Sequence, residues 1–133
     1  MDHDTPKLRI LLAEDSDTNR ELIVRALTRQ GHEVVVAANG QEAVDLVTDQ
    51  TFDGILMDCE MPVMGGFEAT KEIRKLDAER GQKSIIIAFT ANIGEQDRQV
   101  CLDAGMDDFI SKPIAVKELR AKVIEWFGPG GVA

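Results

Sequence analysis

Five short apolar runs recur along the chain: LRILLA (8 to 13), EVVVA (33 to 37), GILM (54 to 57), SIIIAF (84 to 89) and DFI (108 to 110). The first four are nearly continuous in Ile, Leu and Val instead of alternating with polar residues, which is the pattern of strands buried on both faces. The segments between the runs carry helical spacing. Leu22, Ile23, Ala26 and Leu27 mark a first helix, with Gly31 as its stop signal. Ala43, Val44 and Val47 mark a second, Phe67, Thr70, Ile73 and Leu76 a third, and Val116, Leu119, Val123 and Trp126 a fifth. A fourth, from about Gly94 to Ala104, rests on Ile93, Val100 and Leu102 alone. Strands that alternate with helices predict an α/β fold, a doubly wound parallel sheet with helices on both faces, because parallel neighbours need crossover connections.

The length of 133 residues fits one domain with a core of its own. Residues 1–6 (MDHDTP) and 128–133 (GPGGVA) read as tails, leaving 7–127 as the folded unit. Lys and Arg number 15 against 24 Asp and Glu, a formal charge of −9, so the surface repels a phosphate backbone and direct nucleic-acid binding is not expected. Cys59 and Cys101 have no metal-binding spacing, and the N-terminus has no signal-peptide pattern. A cytoplasmic location is the default from those two features, and because no apolar run approaches the ~20 residues needed to span a bilayer, direct membrane contact is not expected.

In a doubly wound sheet, ligands bind in the crevice outside the carboxyl ends of the strands. The residues that fall there form a coherent set. Glu14 and Asp15 follow the first run, Asp58 ends the third, Thr90 follows the fourth, and Lys112 lies just past the fifth. Three carboxylates gathered at adjacent strand ends repel one another by roughly 4 kcal/mol per close pair at an effective dielectric of about 20. A cation relieves that repulsion. All-oxygen ligation without His or Cys suits Mg2+, with Mn2+ as an alternative. Lys112 adds a positive charge and Thr90 a hydroxyl, the groups needed to hold the oxygens of a transferring phosphoryl group. Any one of these acids could be a solvated loop residue or a helix cap. Asp17, just before the first helix, is read as such a cap. Acid pair, acid, hydroxyl and lysine in order at successive strand ends point instead to phosphoryl transfer onto a carboxylate.

These residues resemble the receiver domain of two-component response regulators. The stretches that carry the resemblance are LLAEDSDTNRELI (11 to 23), GHEVVVAANGQEAV (31 to 44), FDGILMDCEMPVMGGFEATKEIR (52 to 74), IIAFTAN (86 to 92) and AGMDDFISKPI (104 to 114). The wording is most similar to receivers attached to hybrid sensor histidine kinases. The resemblance implies a flavodoxin-like (βα)5 fold with strand order 2-1-3-4-5. It implies that Asp58 takes a phosphoryl group from a phosphohistidine on a sensor histidine kinase or a histidine phosphotransfer protein. It places Mg2+ on Asp15, Asp58 and the backbone carbonyl of Glu60, with Glu14 acting through water, and pairs Lys112 with the phosphoryl group. Thr90 matches the family's switch hydroxyl and Phe109 its switch aromatic, whose joint movement would reshape the surface of the fourth helix, fifth strand and fifth helix. Glu60 and Asn92 fall where residues flank the phosphoryl group, and Lys112-Pro113 matches a Lys-Pro step that is usually cis. No output domain is expected within the chain, so its message would pass to another protein or to a kinase or effector domain of a parent chain.

Gly65-Gly66 departs from the Asp-Gly of many receivers, which removes a helix cap and predicts a looser loop. Phe109 lacks the hydroxyl of a Tyr. Trp126 and Cys59 read as packing residues, and neither His3 nor His32 lies on an amphipathic helix. Two other functions fit parts of the pattern. An aspartyl phosphatase of the haloacid-dehalogenase type would use Asp15 as nucleophile but needs a longer chain. A flavin-binding module of flavodoxin type would need a Ser/Thr/Gly-rich first loop, where this chain has Glu14-Asp15-Ser16-Asp17. A receiver that docks without phosphorylation is disfavoured by the complete set of site residues.

Overall fold

A computed structural model describes residues 8–91 and 95–127. Along the chain run β1 (Arg9–Ala13), α1 (Asp17–Arg29), β2 (Glu33–Ala37), α2 (Gly40–Asp49), β3 (Gly54–Asp58), α3 (Gly66–Arg80), β4 (Ile86–Thr90), α4 (Glu95–Ala104), β5 (Asp108–Ser111) and α5 (Val116–Trp126). The strands form one parallel sheet in the order β2-β1-β3-β4-β5. Every apolar run thus became a strand and every helical spacing a helix, although Ile93 and Gly94, read at the start of the fourth helix, lie outside the described residues. No described helix is long and apolar enough to cross a membrane.

The two faces of the sheet hold separate core layers. On one, Ile10, Leu12, Leu56, Ile87 and Phe89 pack against Ile23 and Leu27 of α1 and Leu119 and Val123 of α5. On the other, Leu11, Ile55, Met57 and Ala88 meet Ala43 and Val47 of α2, Ala69 and Ile73 of α3, and Cys101 of α4. Side chains one residue apart on a strand point to opposite faces, so a nearly continuous apolar run supplies both layers. Burial of each large aliphatic side chain contributes about 1.5–3 kcal/mol. β1, β3 and β4 fit this pattern, with β3 and β4 buried throughout. The expectation fails for β2, where Val34 and Val35 are half-buried and Val36 is 39% exposed. β2 is an edge strand paired on one side only, so its outer flank has no neighbouring strand to complete the cover.

Local signals explain most of the helix limits. The N-cap of α1 is Ser16, whose hydroxyl accepts from Asn19 N–H, and Asp17 lies inside the first turn instead of capping it. Gly31, with φ 92°, ends α1 as expected. Asn39 caps α2 by accepting from Glu42 N–H. Gly65, the N-cap of α3, supplies no side-chain cap. The loop before it is largely exposed, with Val63 81% accessible, but the first residue of the helix is tightly placed. Gly66 N–H donates to Cys59 O at 3.1 Å, and a Cβ on Gly66 would lie 2.2 Å from the Asp58 carbonyl oxygen. Glycine is what allows α3 to start against the end of β3.

Two polar clusters hold the remaining elements. At the ends of β4 and β5 away from the crevice, the Arg74 guanidinium donates to Gly105 O, Ser84 O, Asp77 and Asp107. Asp107 accepts in turn from Ile86 N–H at 2.8 Å, and Asp77 accepts from Ser84. Those bonds hold Asp77 below its usual carboxylate range, outweighing the upward push of burial. Trp126 packs against the α1/α5 layer, as read from the sequence, and its indole N–H also donates to Asp108, which Lys122 of the same helix pairs at 2.6 Å.

Candidate functional site

β1, β3, β4 and β5 run parallel and end on the same side, so the residues after their last turns of pleat meet in one crevice. Glu14 directly follows β1, its N–H bonded to Ala37 O of β2. Asp58 is the last residue of β3 and is 1% exposed. Thr90 ends β4 in register with Ser111, and Lys112 N–H donates to Thr90 O at 2.9 Å. Neighbouring strands thereby bring the candidate side chains together at their ends.

Asp58 is gripped from two directions. Its Oδ1 accepts from Lys112 Nζ at 2.8 Å and from Glu60 N–H at 3.1 Å. Lys112 is raised above its ordinary range, since the hydrogen bond and charge of Asp58, together with Glu14 and Glu60, outweigh the lowering effect of burial. The Lys112-Pro113 peptide is cis, as expected.

Glu14 is fully buried, and only one of its oxygens has a described partner: Oε2 accepts from Ser16 N–H at 3.1 Å, while Oε1 has none. Burial first, and then the neighbouring Asp58 charge, push the Glu14 carboxyl up to about 7 against the Ser16 hydrogen bond. Exposed Asp15 completes the cluster, and one oxygen from each of Glu14, Asp15 and Asp58 lies within 4.8 Å of the others. An orphaned buried carboxylate oxygen beside two further carboxylates is electrostatically incomplete, because a buried acceptor without a donor costs about 1–3 kcal/mol. A hard divalent cation with oxygen ligands fits that donor set, and nitrogen- or sulfur-seeking metals do not.

The crevice unites Glu14, Asp15, Asp58 and Lys112. Thr90 is buried beside them at the end of β4. Glu60 is exposed, with its N–H turned to Asp58. Phe109 is half-buried among the α2/α3/α4 layer, and the exposed Arg98 of α4 lies over its ring at 5.1 Å. Asn92 lies outside the described residues. Sequence reasoning missed Arg20, which pairs with Asp17 and donates to Glu14 O at 3.2 Å, bracing the loop that bears Asp15. Its spacing three residues after Asp17 on the first helical turn was the available signal.

Comparison with known proteins agrees with this geometry. The family model for the response regulator receiver domain matches residues 10–124. The chain is 40% identical over 126 residues to hybrid signal transduction histidine kinase B of Dictyostelium discoideum, covering 88% of this chain and 6% of that protein. Among solved structures, it is similar to the receiver domain of a sensor histidine kinase from Pseudomonas aeruginosa PAO1, crystallised with a magnesium ion in its active-site cleft. That likeness has 41% identity and a TM-score of 0.83 over 92% of this chain and 99% of that one. It is also similar to the receiver domain of a Saccharomyces cerevisiae response regulator, crystallised with a histidine phosphotransfer signaling protein, at 32% identity and a TM-score of 0.88 over 92% and 90%. With strand order, crevice and sequence in agreement, the chain belongs to the family of response regulator receiver domains.

Proposed function

We propose that Asp58 is the phosphoacceptor, and that it takes its phosphoryl group from a phosphohistidine on a sensor histidine kinase or a histidine phosphotransfer protein. The observation that carries this reading is the grip on one oxygen of a buried carboxylate. Lys112 and the Glu60 N–H both hold Oδ1, which leaves Oδ2 as the attacking atom. As Oδ2 bonds to phosphorus, the P–N bond to the imidazole breaks, the electron pair stays on the imidazole nitrogen, and that nitrogen takes a proton from solvent. Asp58 becomes an acyl phosphate. A loose transition state leaves the protein little to do beyond positioning and charge stabilisation, and the Lys112 ammonium is already in place for both.

Glu14, Asp15 and Asp58, with the Glu60 backbone carbonyl, would hold Mg2+, or Mn2+ in its place, and the ion supplies neutralisation of the phosphoryl oxygens. The acyl phosphate brings about −1.5 to −2 charge and new acceptor oxygens. Thr90 turns its hydroxyl to them, the Phe109 ring follows, and the surface made by α4, β5 and α5 changes for the next partner. Such a shift needs only a few kcal/mol of differential contact.

The test is labelling with acetyl phosphate or beryllofluoride in the presence of Mg2+, followed by peptide mapping. Modification is expected at Asp58, and Asp58→Asn should abolish it with the far-UV circular dichroism unchanged. Mg2+-dependent labelling that persists in that variant overturns the assignment, and a label on Asp15 favours the phosphatase-type reading instead.

A further inference from the structure

Cys59 directly follows the phosphoacceptor, and its surroundings give it more than a packing role. β3 and β4 pair in parallel with Asp58 opposite Phe89, and Cys59 N–H donates to Phe89 O at 3.0 Å, so the next side-by-side pair is Cys59 and Thr90. Met57 and Ala88, one step of pleat earlier, are paired and lie in the α2/α3/α4 core layer. The two-residue alternation returns Cys59 and Thr90 to that same layer. Cys101 of α4 lies in it too, and all three residues are buried. The register sets the Cys59 and Thr90 side chains next to each other on that face, and the Thr90 hydroxyl and the Cys101 thiol both lie within interaction range of the Cys59 sulfur.

We propose that Cys59 is a positioning residue: its sulfur holds the Thr90 hydroxyl in the resting arrangement and, through Cys101, ties that hydroxyl to α4. The inference rests on the reading of Asp58 as phosphoacceptor and of Thr90 as the group that answers it. Thr90 has to leave the sulfur to reach the phosphoryl oxygens, so the strength of the Cys59 contact sets how readily the switch turns. Sulfur is a weak acceptor, suited to a partner that must be given up. At 6% exposure the Cys59 sulfur is closed off from solvent and serves as a contact, not as a nucleophile. Release of Thr90 also alters the sulfur at the end of the link to Cys101, a direct connection from the phosphorylation site to α4.

The experiment compares wild-type, Cys59→Ala and Cys59→Ser chains for Mg2+-dependent beryllofluoride affinity. Alanine removes the resting partner, and a single hydrogen bond of this kind corresponds to an increase of about threefold to tenfold. Serine offers a stronger acceptor and should weaken binding below wild type. A purely structural role would move both variants in the same direction. A readout that needs no substitution is the S–H stretching band of the wild-type chain, whose only thiols are Cys59 and Cys101, and which should shift when beryllofluoride binds. Variants that move together, or an S–H band unchanged on binding, overturn the inference while leaving the Asp58 reading intact. A wild-type chain that takes up no beryllofluoride at Asp58 overturns both.

Discussion

Replacing Gly66 by alanine sets two physical effects against each other. Gly66 is the first residue of α3, and alanine is the better helix former by up to about 1 kcal/mol, so propensity favours the substitution. Contact geometry opposes it. The new Cβ would sit 2.2 Å from the Asp58 carbonyl oxygen, 3.0 Å from the Asp58 carbonyl carbon and 3.0 Å from Cys59 Cα. Ordinary contacts are about 3.5 Å or more, so β3 and α3 must part by roughly 1 Å, and the obstructing atoms are backbone that has no rotamer to escape into. Overpacking of this kind costs about 1–3 kcal/mol, which exceeds the propensity gain. The site suffers as well, because the displaced atoms belong to Asp58 itself, and a shift of about 1 Å in a reacting group can cost 10²-fold in rate. We expect Gly66→Ala to lower the urea midpoint and to slow Mg2+-dependent acetyl phosphate labelling of Asp58 by more than tenfold. Gly65→Ala is the internal control, since its Cβ would meet only Cys59 O at 3.2 Å. If Gly66→Ala is as stable as wild type and labels at the same rate, the close approach of α3 to β3 is not what fixes the acceptor.

Three further outcomes follow from the site and its support. Glu14→Gln removes the charge that a buried carboxyl brings beside Asp58, so above pH 7 the chain in EDTA should gain about 1–3 kcal/mol in urea unfolding while Mg2+ no longer raises its melting temperature. Lys112→Met should slow Asp58 labelling by about 10²-fold, comparable to the loss of a preorganised donor at a reacting oxygen, with the fold retained by circular dichroism. Asp77→Ala strips Arg74 and Ser84 of a buried partner and should cost about 3–5 kcal/mol at pH 7. Because the folded-state Asp77 carboxyl lies below its ordinary 3.8, its contribution is full above that pH and fades as pH falls through the lower folded value; wild type and variant should therefore converge in acid urea titrations.

The strand ends were legible because a buried parallel strand announces itself by its own residues, and Glu14, Asp15, Asp58, Thr90 and Lys112 lie at fixed distances from those runs. What a residue does by virtue of distant neighbours was not legible. Val34, Val35 and Val36 read like the core of a central strand, and only the strand order reveals that β2 has an open flank. Ser16 and Asp17 are both competent caps, so local preference could not choose between them. The glycine pair read as a lost cap, yet Gly66 is required by the approach of α3 to β3, a contact between elements. Arg74 gathers partners up to 33 residues away, beyond the reach of any local pattern. The identity of the site was thus written in single residues, and its support in pairs that only folding brings together.

That Arg74 clamp has a mechanical consequence. It anchors Ile86 at the start of β4 through Asp107, at the root of the strand whose tip is Thr90. β4 is thereby pinned at its base by side chains, while its tip is held by backbone bonds from Cys59 N–H to Phe89 O and from Lys112 N–H to Thr90 O. On the proposed reading, a pull on the Thr90 hydroxyl would act on one side chain at the end of a strand whose register is fixed at both ends, so the sheet itself need not slip.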